Sequence, residues 1–325
     1  MMIRTPVCEL LGIDHPIALG GMGSVYSPQM VAAVSNAGGL GAMGCHNLPP
    51  DRVSEAAISI REGTDKPYAL NFLLFSIEEE SFSMAIKEKP THMAFAWPRA
   101  NQELRPFIER AHDIGCKVTF MAGSVPEAVR AAEAGADIIV SQGTEGGGHV
   151  SWMTSMALLP MVVDAVEPIP VLAAGGFADG RGLAAALALG ADGVLVGTRF
   201  LASTESPLHP NFKQAIVDSD GHDTLLTEIP DIAQATVWPG AMSRAKRNSF
   251  IETWIGREWA LRRDQEDVFA RITQARETGD IEGAPLSMGQ DAGLVNEIIP
   301  AGEIVKNIMD EAEAILLRRL PNCLV

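Results

Sequence analysis

One histidine in this sequence follows a run of glycines, a setting in which an imidazole can reach a bound ligand. His149 ends the stretch QGTEGGGH, where three glycines remove side chains that would otherwise shield its ring. A neutral imidazole is the side chain most able to take a proton near pH 7. We therefore predict that His149 is catalytic. The alternative is a structural histidine, the role we expect for His15 and His112.

Two glycine turns have the chemistry for binding an anion. Gly175 and Gly176 follow Ala174, and Gly197 precedes Thr198, each directly after an apolar run. Consecutive backbone N–H groups without side chains form a concave site for phosphate. Ordinary glycine-rich turns are the alternative. Two of them after the last two predicted strands favour phosphate binding, because α/β barrels build their phosphate site there.

Eight short apolar runs must position these turns, and they alternate with amphipathic, alanine-rich segments. Most are continuous runs, typical of strands buried on both faces. The gaps between them, about 15 to 28 residues, hold one crossover helix each. The pattern predicts an α/β fold, a closed (β/α)₈ TIM barrel. The predicted strands are Pro16–Gly20, Gly39–Met43, Tyr68–Phe72, His92–Ala96, Lys117–Met121, Asp137–Ser141, Pro170–Ala174 and Gly193–Gly197.

A weak internal repeat supports the βα pattern. The segments Glu127–Gly143 and Arg181–Thr198 both run from a helix through Gly-Ala-Asp to a strand and a glycine turn. In each repeat a glycine, Gly135 or Gly190, is expected to end the helix in the left-handed conformation. The Asp that follows is expected to start the strand.

Past residue 205 the composition changes to dense charge, with three of the five tryptophans in residues 206–295. We predict a helical accessory or lid region there, beside a barrel formed by residues 1–205. Residues 296–325 are expected to complete the barrel with an amphipathic helix over Gly302–Leu320. Five large side chains are left open between lining a pocket and packing in the core: Trp97, Trp152, Met153, Trp238 and Trp254.

Composition and motifs exclude several classes of protein. The 325 residues are 47% apolar with a net charge of −16, which favours a large core and argues against nucleic-acid binding. No GxGxxG opens a βαβ unit and no GxxxxGK[ST] occurs, so Rossmann and P-loop chemistry have little support. No second ligand lies at i+4 from His149, and no metal is expected.

Cysteine usage and hydropathy predict the compartment. Cys8, Cys45, Cys116 and Cys323 lie far apart without a CxxC pair, so we expect free thiols in a reducing environment. The beginning of the chain lacks a secretory pattern, and no stretch approaches 18 uninterrupted apolar residues. We expect a soluble cytoplasmic protein that does not contact a membrane.

The ordered set of these motifs resembles the nitronate monooxygenase family of FMN-dependent enzymes, formerly called 2-nitropropane dioxygenases. The family also includes NAD(P)H:quinone reductases and a flavin-dependent enoyl-acyl-carrier-protein reductase. The resemblance implies a TIM barrel, non-covalent FMN, and an active site between the barrel mouth and a helical second domain. It extends over most of residues 8–205 and is carried by Gly20-Gly21-Met22, VAAVSNAGGLGAMG, QGTEGGGH and PVLAAGGFADGRGLAAALALGADGVLVGTRFLA.

The resemblance implies a role for each matching residue. Gly21 and Met22 meet the isoalloxazine ring, and Asn71 bonds the flavin or its ribityl chain. His149 matches the family's active-site histidine, which implies proton abstraction from a nitro compound or binding of it. The remaining implied cofactor contacts are Gln142, Gly143, Gly147 and Gly148 along the flavin, and Ala174, Gly175, Gly176, Gly197 and Thr198 at its phosphate.

Two departures from the family bear on the nitronate reaction rather than on FMN binding. Some members carry a Lys toward the flavin near the end of strand five, where KVTFMAG puts Met121. This removes a positive charge able to stabilise an anionic reduced flavin. One bacterial branch surrounds its substrate with several tyrosines, whereas this chain has only Tyr26 and Tyr68.

Three hypotheses follow. The first is a nitronate monooxygenase that oxidises an alkyl nitronate with O₂ to a carbonyl compound and nitrite. The second is an NAD(P)H-dependent flavin reductase acting on a quinone or an enoyl thioester. The third is a non-catalytic or phosphosugar-binding barrel. The expected partner is a small-molecule substrate, whose identity is left open, and a homodimer is an ordinary outcome for such a protein.

Overall fold

The computed structural model describes residues 3–23 and 25–323. The strands of this part of the chain form a barrel and a smaller sheet. Their burial is nearly continuous in the barrel, as expected for strands covered on both faces. The strands are β1 (Ile17–Leu19), β2 (Gly41–Gly44), β3 (Tyr68–Leu73), β4 (His92–Ala96), β5 (Lys117–Ala122), β6 (Ile138–Gln142), β7 (Gly148–Val150), β8 (Val171–Ala174), β9 (Gly193–Val196), β10 (Thr224–Thr227) and β11 (Met242–Lys246).

Eight of these strands form a parallel barrel in the order β1-β9-β8-β6-β5-β4-β3-β2. A parallel bridge between Ala18 and Leu40 joins β1 to the segment before β2, so the two edges of the sheet meet. The predicted TIM barrel is confirmed, with each of the eight predicted strands within two residues of its observed bounds. The carboxyl ends of all eight strands therefore open at one mouth.

Helices lie between successive strands and continue after the barrel. They often begin at a side-chain cap: Ser124 accepts the N–H of Glu127 at the start of α6, for example. The described helices are α1 (Pro6–Leu11), α2 (Pro28–Asn36), α3 (Pro50–Gly63), α4 (Glu79–Glu88), α5 (Arg105–His112), α6 (Val125–Ala134), α7 (Ser155–Val166), α8 (Gly180–Ala188), α9 (Thr198–Leu201), α10 (Pro210–Val217), α11 (Ile229–Ala233), α12 (Ser249–Trp254), α13 (Glu258–Arg263), α14 (Gln265–Thr278) and α15 (Ala301–Ala314).

The internal repeat has the local structure that its residues predict. Gly135 and Gly190 each follow a helix and have positive φ values of 106° and 93°. A residue with a side chain would be strained in this conformation. The aspartates after them brace neighbouring strands, since Asp137 accepts the N–H of Val118 at 2.8 Å and Asp192 accepts that of Val171 at 3.0 Å. Each repeat therefore fixes one helix end and one strand start.

The region over residues 206–295 differs from the helical segment that its composition predicts. It contributes β10 and β11 to a three-stranded antiparallel sheet whose third strand is β7, from the barrel half of the chain. Four- and five-residue strands are too short to show alternation, and pairing with a strand about a hundred residues earlier leaves no local signal. The region predicted as helical thus contains two strands beside its helices α10 to α14.

The C-terminal helix α15 packs against α2 and α8, which agrees with the predicted return of the chain to the barrel. Its buried side chains include Ile304, Val305 and Ile308, one face of the helix. Within residues 3–23 and 25–323, no helix combines the length and apolar character needed to cross a bilayer.

Candidate active site

The mouth of the barrel brings together the residues that the motifs single out. Asn71 lies near the end of β3, Gln142 ends β6 and Ala174 ends β8, so their positions share one rim. Gly197 and Thr198 follow β9 at the same rim, and Gly148 and His149 belong to β7 just beyond β6.

His149 is held by a carboxylate that no motif indicated. Its Nε2 lies 2.7 Å from Oδ1 of Asp231, which comes from α11 in the second half of the chain. The two side chains are 17% and 8% exposed, so the contact is largely shielded from water. In β7, His149 lies opposite Ser243 of β11, so the small sheet brings the two halves of the chain together here.

This contact orients the imidazole for proton transfer. An ionised carboxylate only accepts hydrogen bonds, so Asp231 favours the tautomer with the proton on Nε2 of His149. The lone pair then lies on Nδ1, which forms no hydrogen bond with the residues that the structure describes. His149 is thus arranged as a base whose second nitrogen is available to a ligand.

An indole covers one face of this imidazole. The ring of Trp238 stacks on His149 with centroids 3.3 Å apart and planes within 12°. Trp238 also meets Phe75 at 4.9 Å and the buried Trp97, edge-on, at 5.9 Å. Phe75, Trp97 and Trp238 form a cluster of rings beside His149, which we call the aromatic wall.

A second imidazole faces the same wall. His46, just after β2, lies with its ring 6.2 Å from that of Trp238, and its Nδ1 is 3.1 Å from the hydroxyl of Ser76. Burial lowers the pKa of His46, and the proximity of His149 lowers it further. His46 is therefore a neutral hydrogen-bonding group at pH 7.

The remaining aromatic candidates separate into different roles. Met121 of β5 packs against the aromatic wall and against the apolar side chains inside the barrel. Trp152 is 67% exposed, whereas Trp254 is buried in the main core. Met153 packs partly buried on that core.

The ring end of the expected flavin site has close main-chain packing and one polar atom without a partner. Gly21 approaches Asn71 so closely that a Cβ would overlap it, and Asn71 Nδ2 donates to the Gly21 carbonyl at 3.1 Å. Oε1 of the buried Gln142 has no hydrogen-bond partner among the described residues. A buried amide oxygen left unpaired at a barrel mouth is expected to serve a ligand.

The phosphate end is built from glycine turns in contact with one another. Gly175 has φ of 86° and approaches the carbonyl of Gly143, which excludes any side chain there. Gly147 likewise packs against the backbone of Gly289, a residue from the far end of the chain. The N–H of Gly289 donates to the Thr198 hydroxyl at 3.0 Å. The turns after β6, β8 and β9 thus meet a fourth segment at residues 288–291.

The half-buried Glu145 and the buried Arg244 hold the turn after β6 in place. The Glu145 carboxylate accepts the N–H of Ser155 at 2.9 Å, and the Ser155 hydroxyl donates to the Gly175 carbonyl at 2.6 Å. Arg244 of β11 donates to the Thr144 carbonyl at 2.9 Å, and burial lowers the pKa of its guanidinium. These contacts brace the QGTEGGGH loop from both sides.

A flavin phosphate fits these residues. A Cβ at Gly148 would meet no atom within 4 Å, and one at Gly197 would meet only Met22 Sδ, at 3.9 Å, so the glycines leave open space. Together with the unpartnered Gln142 Oε1, this open cradle suits a group with polar edges and an anionic end. The candidate site residues therefore retain the role in FMN binding that the resemblance implies, as a proposal.

Metal and disulfide chemistry have no visible basis in the described part of the chain. No group of three His, Cys, Asp or Glu side chains there could hold a metal ion. The cysteines are free: Cys8, Cys45 and Cys116 are buried, and Cys323 is exposed.

Sequence reasoning missed four contributors to the site: Asp231, His46, Gly289 and Asp291. His46 lies two residues after the end of β2, a position that could have marked it. The other three lie in segments without a motif. They reach the site only because the small sheet and the segment before α15 fold back over the mouth.

A family model described as "Nitronate monooxygenase" matches residues 4–103 and 87–311. The chain is 32% identical to a (3aS,4S,5R,7aS)-5-hydroxy-7a-methyl-1-oxo-octahydro-1H-indene-4-carboxyl-CoA dehydrogenase of Mycobacterium tuberculosis, over 96% of this chain and 97% of the relative. It is 30% identical to a probable nitronate monooxygenase of Staphylococcus saprophyticus, over 98% of this chain and 100% of the relative.

Solved structures resemble the fold across its whole length. FabK from Thermotoga maritima superposes with a TM-score of 0.88 and 35% identity, covering 99% of this chain and 100% of that one. A nitroalkane oxidase from Streptomyces ansochromogenes gives a TM-score of 0.83 and 26% identity, covering 96% and 99%.

Proposed function

Because the chain belongs to the nitronate monooxygenase family, it is a flavin-dependent oxidoreductase, and we propose that its flavin is FMN and its substrate an alkyl nitronate. The reaction would oxidise the nitronate with O₂ to a carbonyl compound and nitrite. The relative in Staphylococcus saprophyticus and the Streptomyces oxidase support a nitro-compound substrate. The single observation that carries the catalytic part is the pairing of His149 with Asp231 beside the aromatic wall.

The chain's own residues would perform three tasks. The glycine turns at Gly175 and Gly197 would hold the cofactor phosphate through main-chain N–H groups. When bound, FMN supplies the redox chemistry. His149 Nδ1 would take the proton from the carbon next to a nitro group, or, as the imidazolium, would donate a hydrogen bond to the nitronate oxygen when substrate arrives already ionised. Asp231 would stabilise the imidazolium that forms, because its carboxylate accepts the Nε2 hydrogen bond.

The aromatic wall would exclude water from this step. Trp238 covers one face of the imidazole, and Phe75 and Trp97 pack against Trp238. A drier site strengthens the interaction of His149 with Asp231. His46, neutral and with its ring 6.2 Å from that of Trp238, would offer one further hydrogen bond to a substrate oxygen.

An acyl thioester is the second candidate substrate, with NAD(P)H as the reductant. The similarity to the indene-carboxyl-CoA dehydrogenase supports it, since that relative acts on a CoA thioester and spans nearly the same length. Reducing an enoyl thioester adds a hydride at one carbon and a proton at the carbon next to the carbonyl, and the imidazolium of His149, held by Asp231, would donate that proton.

Anaerobic mixing separates the two candidates. Flavin absorbance is followed after addition of an alkyl nitronate, NADH or NADPH to the purified holoenzyme. We expect the nitronate to reduce the flavin within seconds. Bleaching by NADH or NADPH but not by nitronate would reject the nitronate proposal and favour the reductase. Colourless protein that takes up no FMN would reject both and favour a non-catalytic phosphosugar-binding barrel.

A further inference from the structure

The carboxyl group of Asp291 is enclosed beside the glycine turns at the phosphate end. The residue is 5% exposed, and its Oδ1 has no hydrogen-bond partner among the described residues. The carboxyl lies against the hydroxyl of Thr198, which also accepts the Gly289 N–H at 3.0 Å. A buried polar atom without a partner requires an explanation, either an absent ligand or a neutral state.

No cation in the described part of the chain offsets a charge on this carboxyl. Burial therefore raises the pKa of Asp291 to about 7, against a smaller lowering by the Thr198 hydroxyl. The charged side chains of the neighbouring elements are engaged elsewhere: Arg199 with the Glu297 carbonyl, Lys213 with the Ser203 and Thr204 carbonyls, Arg244 with the Thr144 carbonyl, Glu145 with Ser155, Asp220 with His222, and Asp223 with Lys246.

We propose that Asp291 belongs to the phosphate end of the cofactor site and that a phosphate-bearing flavin binds tightly only when this carboxyl is protonated. The inference rests on the proposed assignment of FMN. A protonated carboxyl donates an O–H to an anion, whereas a carboxylate only accepts. An ionised Asp291 would also repel a phosphate dianion at short range in a buried setting. The turns around Gly175 and Gly197 provide main-chain N–H groups and no cationic side chain.

Flavin binding is then linked to the uptake of one proton. Below the pKa of Asp291 the carboxyl already carries its proton, and affinity is at its maximum. Above it, each pH unit weakens binding up to tenfold, because the proton must be taken up with the ligand. The second ionisation of a phosphate monoester lies near pH 6, so it is nearly complete by pH 7 and adds little at higher pH.

The test measures dissociation constants of the full-length protein by quenching of flavin fluorescence at pH 7, 8 and 9. For the wild type, we expect FMN affinity to fall on the order of 10–50-fold between pH 7 and pH 9. The FMN affinity of the Asp291→Asn variant should change less than about threefold over the same pH range, because an amide stays neutral and still donates a hydrogen bond. Riboflavin, which lacks the phosphate, should bind both proteins without this pH dependence. Asp220→Asn, at an exposed carboxylate of a neighbouring loop, should behave as the wild type.

Three results would overturn the role of Asp291. These are equal pH dependence of FMN binding in the wild type and Asp291→Asn, riboflavin following the same pH dependence as FMN, and loss of FMN at every pH in a folded Asp291→Asn variant. The comparison of FMN with riboflavin uses wild-type protein alone, so it decides the question even if the variant does not fold. Failure of the wild type to bind FMN at any pH would instead refute the FMN assignment.

Discussion

His149 Nε2 lies 2.7 Å from Asp231 Oδ1, although the two residues are 82 positions apart in the chain. The contact joins the strand β7 to the helix α11, and the small antiparallel sheet aligns the two segments. Since a carboxylate at Nε2 leaves the lone pair on Nδ1, this single contact defines which nitrogen can act as a base.

Replacing His149 by Asn should remove the base while keeping a polar side chain of smaller size. We expect kcat/KM for a neutral nitroalkane to fall by roughly 10²–10⁴-fold, the usual contribution of general-base catalysis. The corresponding nitronate is already deprotonated and should lose less. Steady-state kinetics with both substrate forms measure the difference, with flavin content as the control for site integrity. Nitroalkane turnover within a few-fold of the wild type would show that His149 is not the base.

Asp231→Asn should change the orientation of the His149 ring while leaving the imidazole in the site. An amide no longer enforces the proton on Nε2, so we expect kcat to fall on the order of 10²-fold or more, with a smaller change in KM. Asp231→Glu, which retains the carboxylate, should recover part of the loss. Asp264→Asn serves as the matched control, because Asp264 pairs with Arg263 on the surface. Unchanged kcat in Asp231→Asn would mean that the contact is only structural.

Trp238 is predicted to hold the imidazole of His149 in place, because its indole stacks on that ring. Loss of an aromatic stack costs about 0.5–1.5 kcal/mol, which corresponds to a roughly 2–12-fold fall in kcat/KM for Trp238→Ala. Trp238→Phe, which keeps a ring, should show a smaller fall. Trp259→Phe, at a ring that is 68% exposed, is the control. A lower KM in Trp238→Ala would show instead that the indole occupies the substrate position.

The two aspartates of the internal repeat should respond differently to removal of charge. Burial tends to raise the pKa of Asp137, but hydrogen bonds from Lys117, Val118 and His112 outweigh it and lower the pKa. Its ionised form is therefore stabilised in the folded state, and this stability is present above the ordinary Asp pKa and lost as pH falls through the lowered value. Burial raises the pKa of Asp192, against one backbone hydrogen bond.

Urea unfolding of the two Asn variants tests this difference. Asp137→Asn should lower the free energy of unfolding at pH 7 by about 1–3 kcal/mol, and the deficit should shrink toward pH 3. Asp192→Asn should be close to neutral at pH 7, since the amide oxygen can still accept the Val171 N–H and no charge is buried. Equal losses in both variants would contradict the role given to Lys117 and His112.

Much of the barrel could be predicted because its determinants are local. Continuous apolar runs identify strands buried on both faces, and Gly135 and Gly190 identify helix ends by the conformation that only glycine adopts readily. The turns at Gly175 and Gly197 could be assigned to one rim for the same reason, since parallel strands all end on the same side. The position of His149 near that rim followed from its distance to a predicted strand.

The chemistry of the site depends on contacts that have no local signal. Asp231 and Trp238 meet His149 because β10 and β11 pair with β7, and strands this short are recognisable only once they are paired. Nothing in the sequence distinguishes Asp291 from the other acidic residues. Only the folded chain buries it beside Thr198, away from water. Local residue patterns are enough to predict the barrel, its glycine rim and the candidate base. The partners of the site's charged groups follow only from the folded chain, because they depend on burial and on neighbours far away in the sequence.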